Sequence, residues 1–102
     1  MINLEEWLIQ DLIALPGDIE RLETIKNPLE YRFLKRSIKD RETLLEQLGD
    51  NERFIVETTV IKNIKITAVA KESGLTMSEI YAIRRRAIDE LLLLRHGAGY
   101  KP

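Results

Sequence analysis

The triplet Arg84-Arg85-Arg86 and the hydroxyls of Thr76 and Ser78 are the residues of this chain whose types and spacing suit recognition chemistry. Successive side chains leave a helix about 100° apart, so the three guanidiniums point in different directions. Arg85 leaves on the arc of Ser78, Tyr81, Ala82 and Asp89, opposite an apolar arc of Ile80, Ile83, Ala87, Leu91 and Leu94. A guanidinium is a planar fork of donors that pairs bidentately with phosphate oxygens or with a guanine edge. Thr76 and Ser78 stand where a helix begins, and the free N–H groups and dipole there attract phosphate. Met77, Tyr81 and Ala82 suit thymine methyls or base edges. Arg84 and Arg86, on the two flanks, are placed for the backbone on either side of a groove, with Lys62, Lys65 and Lys71 as further phosphate candidates. On charge alone, a solvated face with pairs such as Arg86–Glu90 at helical spacing explains the triplet better than DNA contact does.

The elements that must position these residues lie between Ile66 and Leu94. The stretch predicts a short helix, a tight turn at Gly74 and a longer helix starting at Thr76. Thr76 and Glu79 have the spacing of a capping box, and Leu75 and Ile80 that of a hydrophobic staple. Two helices joined by a Gly-containing turn form the unit that places its second helix in a DNA groove. Joined to this turn pattern, the arginines favour DNA over a solvated face.

Upstream, Asn3-Leu4-Glu5-Glu6 predicts a helix start, followed by Leu4, Trp7, Leu8, Leu12 and Leu15 on one face. Pro16-Gly17-Asp18 predicts a kink or a break, after which Ile19, Leu22 and Ile25 continue the pattern. Asn27-Pro28-Leu29-Glu30 opens a second helix, expected to run to about Leu48 with Gly49 as its left-handed terminator. Tyr31, Leu34, Ile38, Leu45 and Leu48 form a seam interrupted by Arg41. The two segments predict an antiparallel hairpin, which either buries one face against the other or serves as a dimerisation or partner-binding arm through Leu34, Ile38 and Leu45. Arg32, Lys35, Arg36, Lys39 and Arg41 read as a solvated basic face, with supplementary phosphate contact as the alternative. Residues 54–66 fit both a β-hairpin and a helical stripe. A helix is preferred because a helix-turn-helix unit needs a third helix over its inner face. Leu91 to Leu94 is apolar around the whole helix, so Leu92 and Leu93 require cover from the hairpin or from a second subunit.

Composition sets the bounds. One domain, or one with an arm, fits 102 residues, and 44% apolar content is ordinary for a globular chain. There are no cysteines, hence no disulfide or thiolate metal site, and the one histidine, His96, reads as solvated in a Gly-rich tail. No apolar run approaches the roughly 20 residues of a membrane span, and the acidic N-terminus lacks signal-peptide features, which predicts a cytoplasmic protein. Neither a phosphate-binding Gly loop nor a nucleophile–base arrangement is present, so an enzyme is not expected, nor any metal or cofactor. The net charge of −1 hides an asymmetry, since residues 1–50 carry 7 basic and 11 acidic groups (−4) and residues 51–102 carry 9 and 6 (+3). The basic half is the half with the turn pattern.

Val69-Ala70, Gly74-Leu75-Thr76, Ile80 and Ile83 resemble the helix-turn-helix of bacterial and phage regulators. Thr76 to Leu91, ending in Ala87-Ile88-Asp89-Glu90-Leu91, is similar to the last helix of sigma-factor region four, which reads the promoter −35 element. Ala82 departs from that pattern by being small where such proteins often carry a polar reader. With an acidic helical N-terminal half, the chain resembles phage late-gene transcriptional regulators of the ArpU and RinA type. The resemblance implies an all-α fold, with a hairpin over residues 1–49, a three-helix DNA-binding unit over 50–95 and a tail over 96–102. It also implies transcription regulation through double-stranded DNA, by a homodimer or beside RNA polymerase. Two rivals stand against it: a phage terminase small subunit, which would form a ring, and an interaction module that binds RNA polymerase without touching DNA.

Overall fold

The computed structural model describes residues 3–97, which are helical with no strand among them. Helix α1 spans Leu4–Leu22 and α2 spans Pro28–Glu46. Helix α3, Asp50–Val56, runs directly into a π-helical turn at Glu57–Ile61. Helix α4 spans Ile66–Ser73 and α5 spans Met77–His96. Of the expected tail, residues 98–102 lie outside the described part, while His96 is the last residue of α5.

Local chemistry explains most boundaries. The Asn3 side-chain oxygen accepts from the Glu6 N–H at 3.1 Å, and Asn27 Oδ1 accepts from the N–H groups of Leu29 at 2.9 Å and Glu30 at 3.2 Å. Pro28 occupies the first turn of α2, where its missing N–H is not needed. Of the two alternatives at Pro16, helix α1 takes the one with a single helix and runs through as one element. One boundary differs from expectation. Helix α2 ends at Glu46, and Gly49, with φ −63° and ψ 157°, is not left-handed but extended, serving as N-cap to α3.

Residues 54–61 are helical, as preferred over a hairpin, and their β-branched content appears instead as the π turn. The Thr58 hydroxyl donates to the Phe54 carbonyl at 2.8 Å and the Thr59 hydroxyl to the Ile55 carbonyl at 2.6 Å. Such back-bonding competes for the carbonyls of the α ladder and loosens it. The Lys62 N–H reaches the Glu57 carbonyl at 2.9 Å, and Asn63, with φ 54°, ends the segment in the left-handed conformation that Asn tolerates.

One large core joins α1, α2, the π turn and the C-terminal half of α5, around Leu8, Leu12, Val56, Val60, Ile88 and Leu91. A second, smaller cluster of Ile55, Val69 and Ile80, flanked by Ile66, Ala70, Leu75 and Ile83, holds α3, α4 and the first turns of α5 together. Residues from 1–49 and from 50–95 thus share the large core, and Gly49 separates helices rather than cores.

This packing corrects the expected interface set. Leu34, Ile38, Leu45 and Leu92 are buried in the chain's own core and are not available to a partner; Leu93 is 43% exposed. Leu94, expected inside, is 37% exposed, whereas Leu92 is only 1% exposed. The reason is that α5 serves two clusters. Its first turns bury Ile80 and Ile83 against α4, and its last turns bury Ile88, Leu91 and Leu92 against the N-terminal helices. The inward arc therefore rotates along the helix instead of following one stripe. Trp7, assigned to the buried face of α1, is 59% exposed, lying at the edge of the arc formed by Leu8, Leu12 and Leu15.

Candidate nucleic-acid interface

The start of α5 is built as its residues dictate. Gly74 ends α4 with φ +76°, and its N–H donates to the Ala70 carbonyl at 3.0 Å. No atom crowds a Cβ added there, so only the left-handed backbone favours glycine. The Ser73 hydroxyl donates to the Val69 carbonyl at 2.6 Å and accepts from the Leu75 N–H at 3.3 Å, which holds the turn. Thr76 Oγ1 accepts from the Glu79 N–H at 3.1 Å, and Glu79 Oε1 accepts from the Thr76 N–H at 3.1 Å, completing the capping box. Leu75 and Ile80 pack in the same cluster, as the staple requires. Replacing Thr76 by Ala is expected to cost about 1 kcal/mol. Urea denaturation reads this as a lowered midpoint at unchanged slope, and an unchanged midpoint would show the cap to be dispensable.

Thr76, Met77, Ser78, Tyr81 and Ala82 are all exposed along the first two turns of α5. Arg86 is exposed and Arg84 half-buried, and neither forms an ion pair among the described residues. Lys62 and Lys65 flank the connection into α4 and Lys71 lies on α4, all three exposed. The clustering of Ile55, Val69 and Ile80 thus brings a hydroxyl-bearing helix start and five unpaired cations onto elements held as one block.

Arg85 behaves differently. Its guanidinium bridges Glu5 on α1 at 2.5 Å and Asp89 on its own helix at 2.9 Å. Desolvation pulls its pKa down, but the hydrogen bonds and charges of Glu5 and Asp89 outweigh this and hold the group above its ordinary value. Arg85 therefore remains charged yet is already satisfied, and any external acceptor must displace two carboxylates. Nothing near Arg85 in sequence signals this, because Glu5 is brought to it only by the packing of α1 on α5.

A second arginine has a structural role. Arg41, counted in the solvated basic face of α2, is 5% exposed. Its Nη1 donates to the Asp11 carbonyl at 2.8 Å, Nη2 pairs with Asp18 at 2.8 Å, and Ser37 accepts from Nε and Nη2 at 3.3 and 3.2 Å. It fills the gap in the apolar seam between Ile38 and Leu45. That gap, a cation on an otherwise apolar arc opposite Asp18 in a neighbouring helix, was the signal available beforehand. Arg95 ties the end of α5 to α1 through Asp11 at 2.5 Å.

Comparison of the chain with family models, curated proteins and solved structures returns no match.

Proposed function

We propose that this chain is a sequence-specific double-stranded DNA-binding regulator of transcription that presents the N-terminal turns of α5 to the major groove. The observation that carries the reading is the conjunction at Gly74–Ala82: a left-handed turn, a complete capping box, and an exposed helix start carrying Thr76, Met77, Ser78 and Tyr81 beside unpaired cations. The three helices α3, α4 and α5, locked by one apolar cluster, form a helix-turn-helix unit of sigma region-four type in this reading, and α1 and α2 form the hairpin that braces it. A phage or prophage origin and action beside RNA polymerase belong to the same proposal. Thr76 and Ser78 hydroxyls with the N–H groups of Met77 and Ser78, which the capping box leaves open, would position phosphate, and Arg86, Lys62, Lys65 and Lys71 would add charge. Arg85 contributes less than an unengaged arginine, since a guanine edge gains only the difference between its own hydrogen bonds and those to Glu5 and Asp89. Specific affinity from so small a unit calls for a dimer reading two half-sites.

Selection of bound sites from random duplex DNA tests this. The wild type should enrich a motif. Lys71→Ala should weaken all sequences alike and reduce the salt dependence by about one phosphate. Arg85→Ala should cost about 1 kcal/mol and relax one base position. If no motif is enriched and no duplex binds at low salt, the proposal fails. Solution mass separates a dimer from the ring of a packaging protein.

A further inference from the structure

The cations of this chain divide into two populations. Arg41, Arg53, Arg85 and Arg95 each lie against a carboxylate. Arg32, Lys35, Arg36 and Lys39 on α2 are exposed, and no carboxylate among the described residues pairs with them. They occupy positions i, i+3, i+4 and i+7, so they form one stripe about 10 Å long. Lys26 and Tyr31 complete a shallow groove along it, into which no Asp or Glu projects. The Lys35 ammonium lies 5.8 Å from the centre of the Tyr31 ring. The nearest acidic positions in sequence are Glu30, Asp40 and Glu42; Asp40 stands four residues after Arg36 and Glu42 three after Lys39, yet neither closes an ion pair with the stripe. Like charges at the spacings within the stripe destabilise a helix. The other helices show what relieves such charge: Arg85 and Arg95 are neutralised across helices by Glu5 and Asp11. No ion pair among the described residues engages the stripe on α2, and a polyanion supplies that engagement.

We propose that this stripe is a second phosphate-contact surface for double-stranded DNA, at the opposite end of the chain from the α5 start. The placement follows from α1. Its first turn meets Arg85, Asp11 meets Arg95 and Asp18 meets Arg41, so the stripe, which precedes Arg41 on antiparallel α2, lies alongside the C-terminal half of α1, away from Glu5. A stripe of about 10 Å faces roughly three phosphates of one strand at 3.4 Å rise per charge. The proposal rests on the reading of the chain as a duplex-DNA binder and extends its footprint beyond the helix-turn-helix unit.

The test is fluorescence-anisotropy titration of a labelled 30-base-pair duplex across a salt series. It compares the wild-type chain, the α2 variant Arg32→Gln/Lys35→Gln/Arg36→Gln/Lys39→Gln, and the variant Lys71→Gln/Arg86→Gln, with circular dichroism and thermal melting confirming that each is folded. Losing the stripe should lower duplex affinity about tenfold or more at low salt and flatten the slope of log K against log salt by about two to three, leaving the selected motif unchanged. An α2 variant with wild-type affinity and slope, beside a weakened Lys71/Arg86 variant, overturns the stripe and leaves the helix-turn-helix reading standing. Loss on the α2 variant with no effect at Lys71 and Arg86 upholds the stripe and removes that reading. Binding of the wild type to vesicles of anionic lipid, with none to duplex, overturns both.

Discussion

Arg41→Ala should lower the free energy of unfolding by about 3 kcal/mol, the scale of removing one partner from a buried ion pair. For a chain of this size that corresponds to a fall of roughly 12–24 °C in Tm. The substitution leaves the Asp11 carbonyl without its 2.8 Å donor, strips Asp18 of its cation and opens a void on the apolar seam of α2. The side chain of Asp18 is 22% exposed, so water relieves part of its loss and keeps the cost at the low end for such pairs. The position also braces α1 near Pro16, where the helix lacks one backbone donor. Replacing the pair together, Arg41→Met with Asp18→Leu, should recover most of the stability, because an apolar pair carries no desolvation cost. Calorimetry checks both variants. A loss below about 1 kcal/mol for Arg41→Ala would mean that packing alone holds α1 on α2.

Ile80→Ala should cost a similar amount, about 3 kcal/mol, since Ile80 is fully buried and truncation leaves a cavity. Its consequence should be local in a way that Leu91→Ala is not. Ile80 belongs to the small cluster with Ile55 and Val69, whereas Leu91 belongs to the large core. Hydrogen exchange should therefore speed up first across α4 and the turn at Gly74, while α1 and α2 stay protected. Leu91→Ala should raise exchange in every helix together. If Ile80→Ala raises exchange uniformly, the two clusters unfold as one unit, and the block formed by α3, α4 and α5 has no independence.

Legibility followed the range of the forces involved. The caps at Asn3, Asn27 and Thr76, the turn at Gly74 and the helix ends they set were readable because each depends on residues within four positions of one another. The end of α2 was misread for the same reason: Gly49 resembles a terminator locally, but the chain needs an extended residue there to start α3. The preference for helix over hairpin in residues 54–61 came from the tertiary requirement for a covering helix, and its π turn came from Thr58 and Thr59. Exposure of Ser78, Tyr81 and Ala82 was readable from the arc of α5, whereas the state of Arg85 was not.

What the sequence determined by itself is the unit around Gly74 and Thr76, the residues first singled out, because capping and turn chemistry are local and nearly independent of the rest. What only the tertiary structure decided is which charges are spent inside the molecule. Along the chain Arg85 looks like Arg86, and only its place on the apolar seam sets Arg41 apart from Arg36. Packing of α1 brings Asp18 to Arg41 and Glu5 to Arg85 and leaves Arg36 and Arg86 without an ion pair among the described residues, since the choice of partner across helices depends on residues as far apart as Glu5 and Arg85.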